Sequence, residues 1–308
     1  MAAFTTFSDA ALERYLVMFD IGDLHSFEPV PTGIENSNYF VSLTRHDDIL
    51  EFVLTITEGL DFHEVPFFNE LLGQLDRAGL PVPVPVRTLD GMASTIFCGK
   101  PAWLFPRLPG SHPSTVNPAQ CEIIGNAIAR LHQAASTTRY SRVNPYGPDW
   151  ARQTLELQRH HLSAGDDALL TEISDEYATL ANASDLPKGI IHGDLFRDNA
   201  LFEGETLTGI IDFYHACEDY LIQDVAITIN DWCTTASGNL DSARYSALLK
   251  GYESVRSLTP MEREQLSAFR RCGAMRFVLT RLLSGNEGGH LKDPEEFLRI
   301  ARSARYAE

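Results

Sequence analysis

The segment Ile190-Ile191-His192-Gly193-Asp194-Leu195-Phe196-Arg197-Asp198-Asn199 decides how the rest of the chain is read. Two β-branched residues run into a polar loop of the form H-x-D-x-x-x-x-N. In a loop of this form a carboxylate at Asp194 can orient an acceptor hydroxyl and take its proton. The amide oxygen of Asn199 can bind a metal ion at a phosphate. Amide and carboxylate oxygens suit Mg²⁺, a hard cation. His, Asp and Asn are also common turn formers, so a capped polar loop stays open as the plain reading at this point.

The residues that follow narrow the choice. Ala200-Leu201-Phe202 reads as a short strand, Glu203-Gly204-Glu205 as a turn, and Leu207 to Ile211 as a second strand. Asp212 comes at its end, followed by Phe213. Loop, hairpin and carboxylate in that order are the arrangement of a kinase, in which Asp212 joins Asn199 as a metal ligand. The alternative for Asp212 alone is a strand-end turn former.

Upstream, Ser8-Asp9 ahead of Ala10 to Phe19 predicts a short capped helix. Asn38 to Leu43 and Ile49 to Thr57, with a polar turn between them, predict a hairpin. Phe67, Leu71, Leu75 and Ala78 recur at helical spacing before Gly79, and Pro81, Pro83 and Pro85 then impose extended chain. Thr95 to Phe97 and Ala102 to Phe105 are short strand candidates around Gly99-Lys100. From Arg107 the composition changes to breakers and then to helical segments, whose starts are marked at Asn117-Pro118, Thr259-Pro260 and Asp293-Pro294. The expected class is therefore α+β, with a small β-rich N-terminal lobe (1–106) that binds nucleotide. A larger, mostly helical lobe (107–308) carries catalysis and the acceptor.

His192-Gly193-Asp194, Asn199 and Ile211-Asp212-Phe213 resemble the signature of the aminoglycoside/choline-kinase-like phosphotransferases. Asp224 in Gln223-Asp224-Val225-Ala226 matches that family's carboxylate in the next helix, which supports the loop. The run 125–132 (GNAIARLH) resembles the helix ahead of it. Within this superfamily the runs GIENSNYFV (33–41), HGDLFRDN (192–199), GIIDFYHAC (209–217) and DVAITINDWC (224–233) are similar to the homoserine kinases. The resemblance implies a bilobal, protein-kinase-like fold with ATP and Mg²⁺ in a cleft. It also implies transfer of the γ-phosphate to the hydroxyl of L-homoserine on the route to threonine.

Under that reading Gly33, Asn36, Ser37 and Asn38 form a phosphate-covering loop, with an ordinary β-turn as the competing reading. Thr55 stands where a kinase-type strand carries lysine, and no lysine occurs between Arg45 and Lys100. Arg197 is expected either to contact a phosphate in place of that lysine or to form a salt bridge within the loop, for instance to Asp198. Trp103 to Leu108 would be the hinge, with Leu104, Phe105 and Leu201 lining an adenine slot; each is equally explained as core. For the acceptor, Tyr214, Asp231 and Trp232 are candidates by proximity to the motifs. Arg276 and Arg281 are candidates on the helix beginning at Pro260, with structural ion pairs as the alternative.

Composition excludes several classes. The 308 residues carry 25 Lys+Arg against 42 Asp+Glu, a net charge of −17, which repels nucleic acid and anionic membrane. Five cysteines, none at CxxC spacing, argue against a zinc site or a disulfide framework and for a reduced compartment. No segment reaches the length of a membrane span, and the cytoplasm is the expected location. Three other functions stay open. These are a kinase of an aminoglycoside, choline, ethanolamine or hydroxylated amino acid, a non-catalytic nucleotide-binding pseudokinase, and a metal hydrolase using the same carboxylates.

Overall fold

The computed structural model describes residues 4–31, 35–182, 185–285 and 293–304. The chain divides into two compact units, one of Met1–Pro109 with Thr138–Tyr140 and one of Gly110–Thr137 with Ser141–Glu308.

In the first unit, helix α1 (Asp9–Leu16) starts at Ser8, whose side chain accepts from the Ala11 amide. Strands β1 (Asp23–Pro29), β2 (Asn36–Arg45), β3 (Asp48–Thr57), β4 (Thr95–Phe97) and β5 (Lys100–Pro106) form an antiparallel sheet in the order β1-β2-β3-β5-β4. Helix α2 (Val65–Arg77) buries Phe67, Phe68, Leu71, Leu72 and Leu75 and stops before Gly79, whose φ of 72° is the left-handed geometry of a helix stop. Alternation sorts the sheet's side chains. Val41, Leu43, Leu54, Ile56, Ala102 and Leu104 pack with Leu12, Tyr15 and Leu16 of α1 in one apolar cluster. Register pairs Thr55 with Asn38 on one side and with Trp103 on the other, so these three share the opposite face.

The second unit is built from helices α3 (Pro118–Ala135), α4 (Pro148–Gln158), α5 (Ala164–Leu180), α6 (Leu221–Trp232), α7 (Ser242–Glu253), α8 (Pro260–Gly285) and α9 (Pro294–Ser303). It also holds two antiparallel ribbons. One pairs β6 (Lys188–Ile191) with β9 (Cys217–Tyr220), the other β7 (Ala200–Glu203) with β8 (Thr206–Ile210). Asn117 and Gln120 make a reciprocal capping box at the start of α3, and Pro118 occupies its first turn. Helices α3 and α7 approach so closely that a Cβ on Gly125 would lie 2.0 Å from the Leu248 carbonyl oxygen. One on Gly251 would lie 1.9 Å from that of Glu122. Only glycine fits at either crossing point. No helix among the described residues is long and apolar enough to cross a membrane.

Candidate active site

Ribbon β6–β9 delivers the 192–199 loop, and ribbon β7–β8 closes it. Gly193 makes the first turn at φ 75°, and a Cβ there would sit 3.0 Å from the His215 carbonyl oxygen. The loop is then fixed from below by Asp224 of α6. Its two carboxylate oxygens accept the backbone amides of His192 (2.9 Å) and Gly193 (2.8 Å). His132 of α3 adds a third bond at 3.1 Å, and its other ring nitrogen meets the Tyr252 hydroxyl at 2.9 Å. Arg256 donates to that hydroxyl at 3.0 Å and pairs with the buried Glu262. Burial opposes a charge on Asp224. The His132 hydrogen bond leads the contributions that outweigh it and hold the carboxyl below its ordinary range.

His192 is sealed in the interior, where its Nε2 donates to the Ile211 carbonyl at 3.1 Å and its Nδ1 accepts the Asp194 amide at 3.2 Å. That pattern fixes the neutral tautomer, and burial lowers the imidazole to about 4. Asp194 itself is half-buried. The Asn199 amide nitrogen donates to its carbonyl (2.8 Å) and to its Oδ2 (2.9 Å). With Nδ2 so engaged, the Asn199 amide oxygen is the atom left for a cation. The Ile211 amide donates to the Asn199 carbonyl at 3.0 Å, which ties the loop to the stretch that presents Asp212. Asp212 is exposed in left-handed geometry (φ 63°, ψ 60°), a conformation a non-glycine residue adopts only when its surroundings hold it. Arg142 contributes by donating to the carbonyls of Tyr214 (3.0 Å) and Ala216 (3.2 Å).

Several expected roles change in this geometry. Arg197 is held by Asp231 through its backbone amide (2.7 Å) and a two-pronged guanidinium contact (3.1 Å each), so its salt bridge reaches across to α6. That engagement also occupies Asp231, which was a candidate for the acceptor. Trp232 is fully buried and its indole donates to the Leu195 carbonyl at 3.0 Å, so it supports the loop and offers a ligand no surface. Arg281 pairs with Glu296 at 2.8 Å and donates to the Asp293 carbonyl. Tyr214 is half-buried beside Asp212, and Leu201 is half-buried in β7. Arg276, on α8, donates to the Gly193 carbonyl at 2.5 Å.

In the first unit Gly33 lies outside the described residues. Asn36, which accepts from the Glu58 amide, and Asn38 stand on the face of Thr55, whose hydroxyl donates to Asn38 at 2.6 Å. Ser37 does not. It points to the opposite face, fully buried, accepting from the amides of Phe4 and Thr5 and donating to Glu58, so its hydroxyl is fully engaged away from that face. Lys100, the next lysine after the lysine-free stretch, lies on that same opposite face, where it pairs with Glu58, and so does not stand in for a lysine at Thr55. Glu70 of α2 is bonded to Arg139 at 2.9 Å. Phe105 is buried in β5 and Leu108 is half-buried just beyond it.

The arrangement is that of a phosphoryl-transfer loop, and the chain belongs to the APH phosphotransferase enzyme family, whose model matches residues 26–258. It is 40% identical to the homoserine kinase of Pseudomonas aeruginosa, covering 98% of this chain and 96% of that protein. It is likewise 40% identical to the homoserine kinase of Gluconacetobacter diazotrophicus, covering 100% and 98%. Among solved structures the fold is similar to an amicoumacin kinase in complex with AMP-PNP and Ca²⁺. The TM-score is 0.74 at 16% identity, over 97% of this chain and 92% of the other. A spectinomycin phosphotransferase in complex with ADP superposes with TM-score 0.68 at 15% identity, over 97% and 95%.

Among the described residues no three His, Cys, Asp or Glu side chains cluster into a metal cage. The oxygens of Asn199 and Asp212 nevertheless fit Mg²⁺, which keeps several of its ligands as water and phosphate oxygen.

Proposed function

We propose that the chain phosphorylates the hydroxyl of L-homoserine with ATP to give O-phospho-L-homoserine. The observation that carries this reading is Asp194, a half-buried carboxylate whose orientation is set by Asn199 and whose loop is braced by Asp224. Full-length similarity to proteins named homoserine kinase supports the choice of acceptor.

Asp194 orients the acceptor hydroxyl and removes its proton as the oxygen attacks phosphorus. Asn199 and Asp212 would hold Mg²⁺, which when bound would neutralise charge on the transferring phosphate. Positioning and electrostatics supply most of the acceleration, as phosphoryl transfer requires little covalent chemistry from protein groups. The acceptor and nucleotide are metabolites, which fits a cytoplasmic enzyme.

The test is ADP release by purified protein with ATP and Mg²⁺ over a panel of L-homoserine, L-serine, L-threonine, choline, ethanolamine and an aminoglycoside. Turnover on homoserine that falls by about 10³-fold or more in Asp194→Ala is the expected result. Turnover confined to another acceptor would keep the mechanism and discard the substrate. The neutral Thr55 favours one second reading, a pseudokinase, which predicts nucleotide binding with no turnover on any acceptor.

A further inference from the structure

Arg276 is placed differently from the other arginines around the 192–199 loop. Arg197 and Arg281 each face a carboxylate. Arg276 is only 6% exposed, yet no carboxylate among the described residues lies within ion-pairing distance of it. Its Nη1 is on the Gly193 carbonyl, and its Nε is buried with no partner. Its guanidinium carbon stacks 4.2 Å from the centre of the Tyr146 ring and 4.8 Å from that of Phe277. Asp219 senses the charge from farther away, but that carboxylate is bonded to Asn144 (2.5 Å) and to the Tyr220 amide (2.7 Å).

A buried guanidinium without an anion is costly, and a carbonyl and two ring faces offset only part of that cost. The carbonyl that this cation holds belongs to Gly193, the residue before Asp194 in the chain. Gly193, whose carbonyl Arg276 holds, is fixed at φ 75° by its own turn against the His215 carbonyl. In a chain of net charge −17 a small anion finds no general attraction, and a local cation must draw it in.

We propose that Arg276 binds the α-carboxylate of the acceptor, so that the site selects a hydroxy amino acid over the corresponding amino alcohol. This rests on the reading of L-homoserine as substrate. Homoserine joins its hydroxyl to its carboxylate through a short carbon chain, so with its hydroxyl at Asp194 its carboxylate would be directed to the guanidinium that holds the neighbouring Gly193 carbonyl. The guanidinium fork suits a carboxylate in a way that an ammonium would not.

The test compares L-homoserine with 3-aminopropan-1-ol, the same molecule without its carboxylate, in wild type, Arg276→Met and Arg276→Lys. The amino alcohol is assayed both as substrate and as competitive inhibitor. In Arg276→Met, kcat/KM for homoserine is expected to fall on the order of 100-fold, mainly through KM. The constants for 3-aminopropan-1-ol change by less than about threefold. Arg276→Lys, which keeps the charge and a packed side chain, gives an intermediate loss on homoserine alone. Equal losses on both compounds, in either variant, would overturn the proposal and leave Arg276 as a support for the Gly193 carbonyl. Unchanged kinetics in both variants would overturn it as well. A wild type inactive on homoserine would overturn the substrate reading first, and is seen before any variant is made.

Discussion

At Thr55 the polar groups on the strand face are neutral: a hydroxyl donates to an asparagine, and the Trp103 indole donates to Asn69 at 2.8 Å. Around the 192–199 loop charged groups are interlocked: Arg256 pairs with Glu262 and connects through the Tyr252 hydroxyl and the His132 ring to Asp224, and Arg197 pairs with Asp231. A neutral pair holds its place with little desolvation cost and little long-range field. A charged chain costs more to bury, and it places a loop rigidly when every member is satisfied. The family resemblance leads one to expect a cation in the strand. The chain places its charges around the loop that carries Asp194 instead.

Three experiments probe that contrast. The largest effect is expected from Asp224→Ala, which strands the His192 and Gly193 amides and removes the partner of His132. Stability should fall by about 3–5 kcal/mol in urea unfolding, with activity lost even where the protein stays folded. A loss under about 1 kcal/mol would mean the loop holds itself.

The second experiment uses pH. His192 is buried neutral, with its folded value lowered to about 4 from an ordinary 6.5. Its contribution is complete above the unfolded value and is lost as pH falls toward the folded one. Wild type should therefore lose on the order of 3 kcal/mol between pH 6.5 and 4 through this group. His192→Gln should show a flatter profile over that window. Parallel profiles would assign the acid sensitivity to other groups.

The smallest effect is expected at the strand. Thr55→Val removes one hydrogen bond and should cost about 1 kcal/mol, with little change in the KM for ATP. A tenfold rise in that KM at unchanged stability would break the comparison, because the neutral pair would then be handling phosphate.

The loop was readable from sequence because its chemistry is local: His192, Asp194 and Asn199 act within one turn of chain, and the β7–β8 hairpin follows at once. The capped starts of α1, α3 and α9 were readable for the same reason, since a cap is a contact between near neighbours. Strand β1 was not, because its residues are mostly exposed and carry no apolar alternation. Nor was β9, whose partner β6 lies 26 or more residues upstream. The same distance problem hid the Arg197–Asp231 pairing and the bond from Arg276 to Gly193, which join segments 34 and 83 residues apart. Ser37 was misread because residues next to each other in a strand point to opposite faces, and its neighbours Asn36 and Asn38 have the face it lacks. A clue to the His132–Asp224 bond did exist, since both residues fall inside the quoted runs, but no rule of spacing joins them.

The glycine pair at the crossing of α3 and α7 sets a limit on how this chain can be improved. Replacing an interior helical glycine by alanine is a routine route to a tougher protein, worth up to about 1 kcal/mol of propensity. At Gly125 and Gly251 the added methyl would strike backbone and wedge the two helices apart. His132 rides on one of those helices and Tyr252 on the other, so the wedge would open the link that reaches Asp224. Attempts to harden the enzyme by filling these two positions would therefore disarm it, and heat-tolerant versions must draw their gains from elsewhere in the chain.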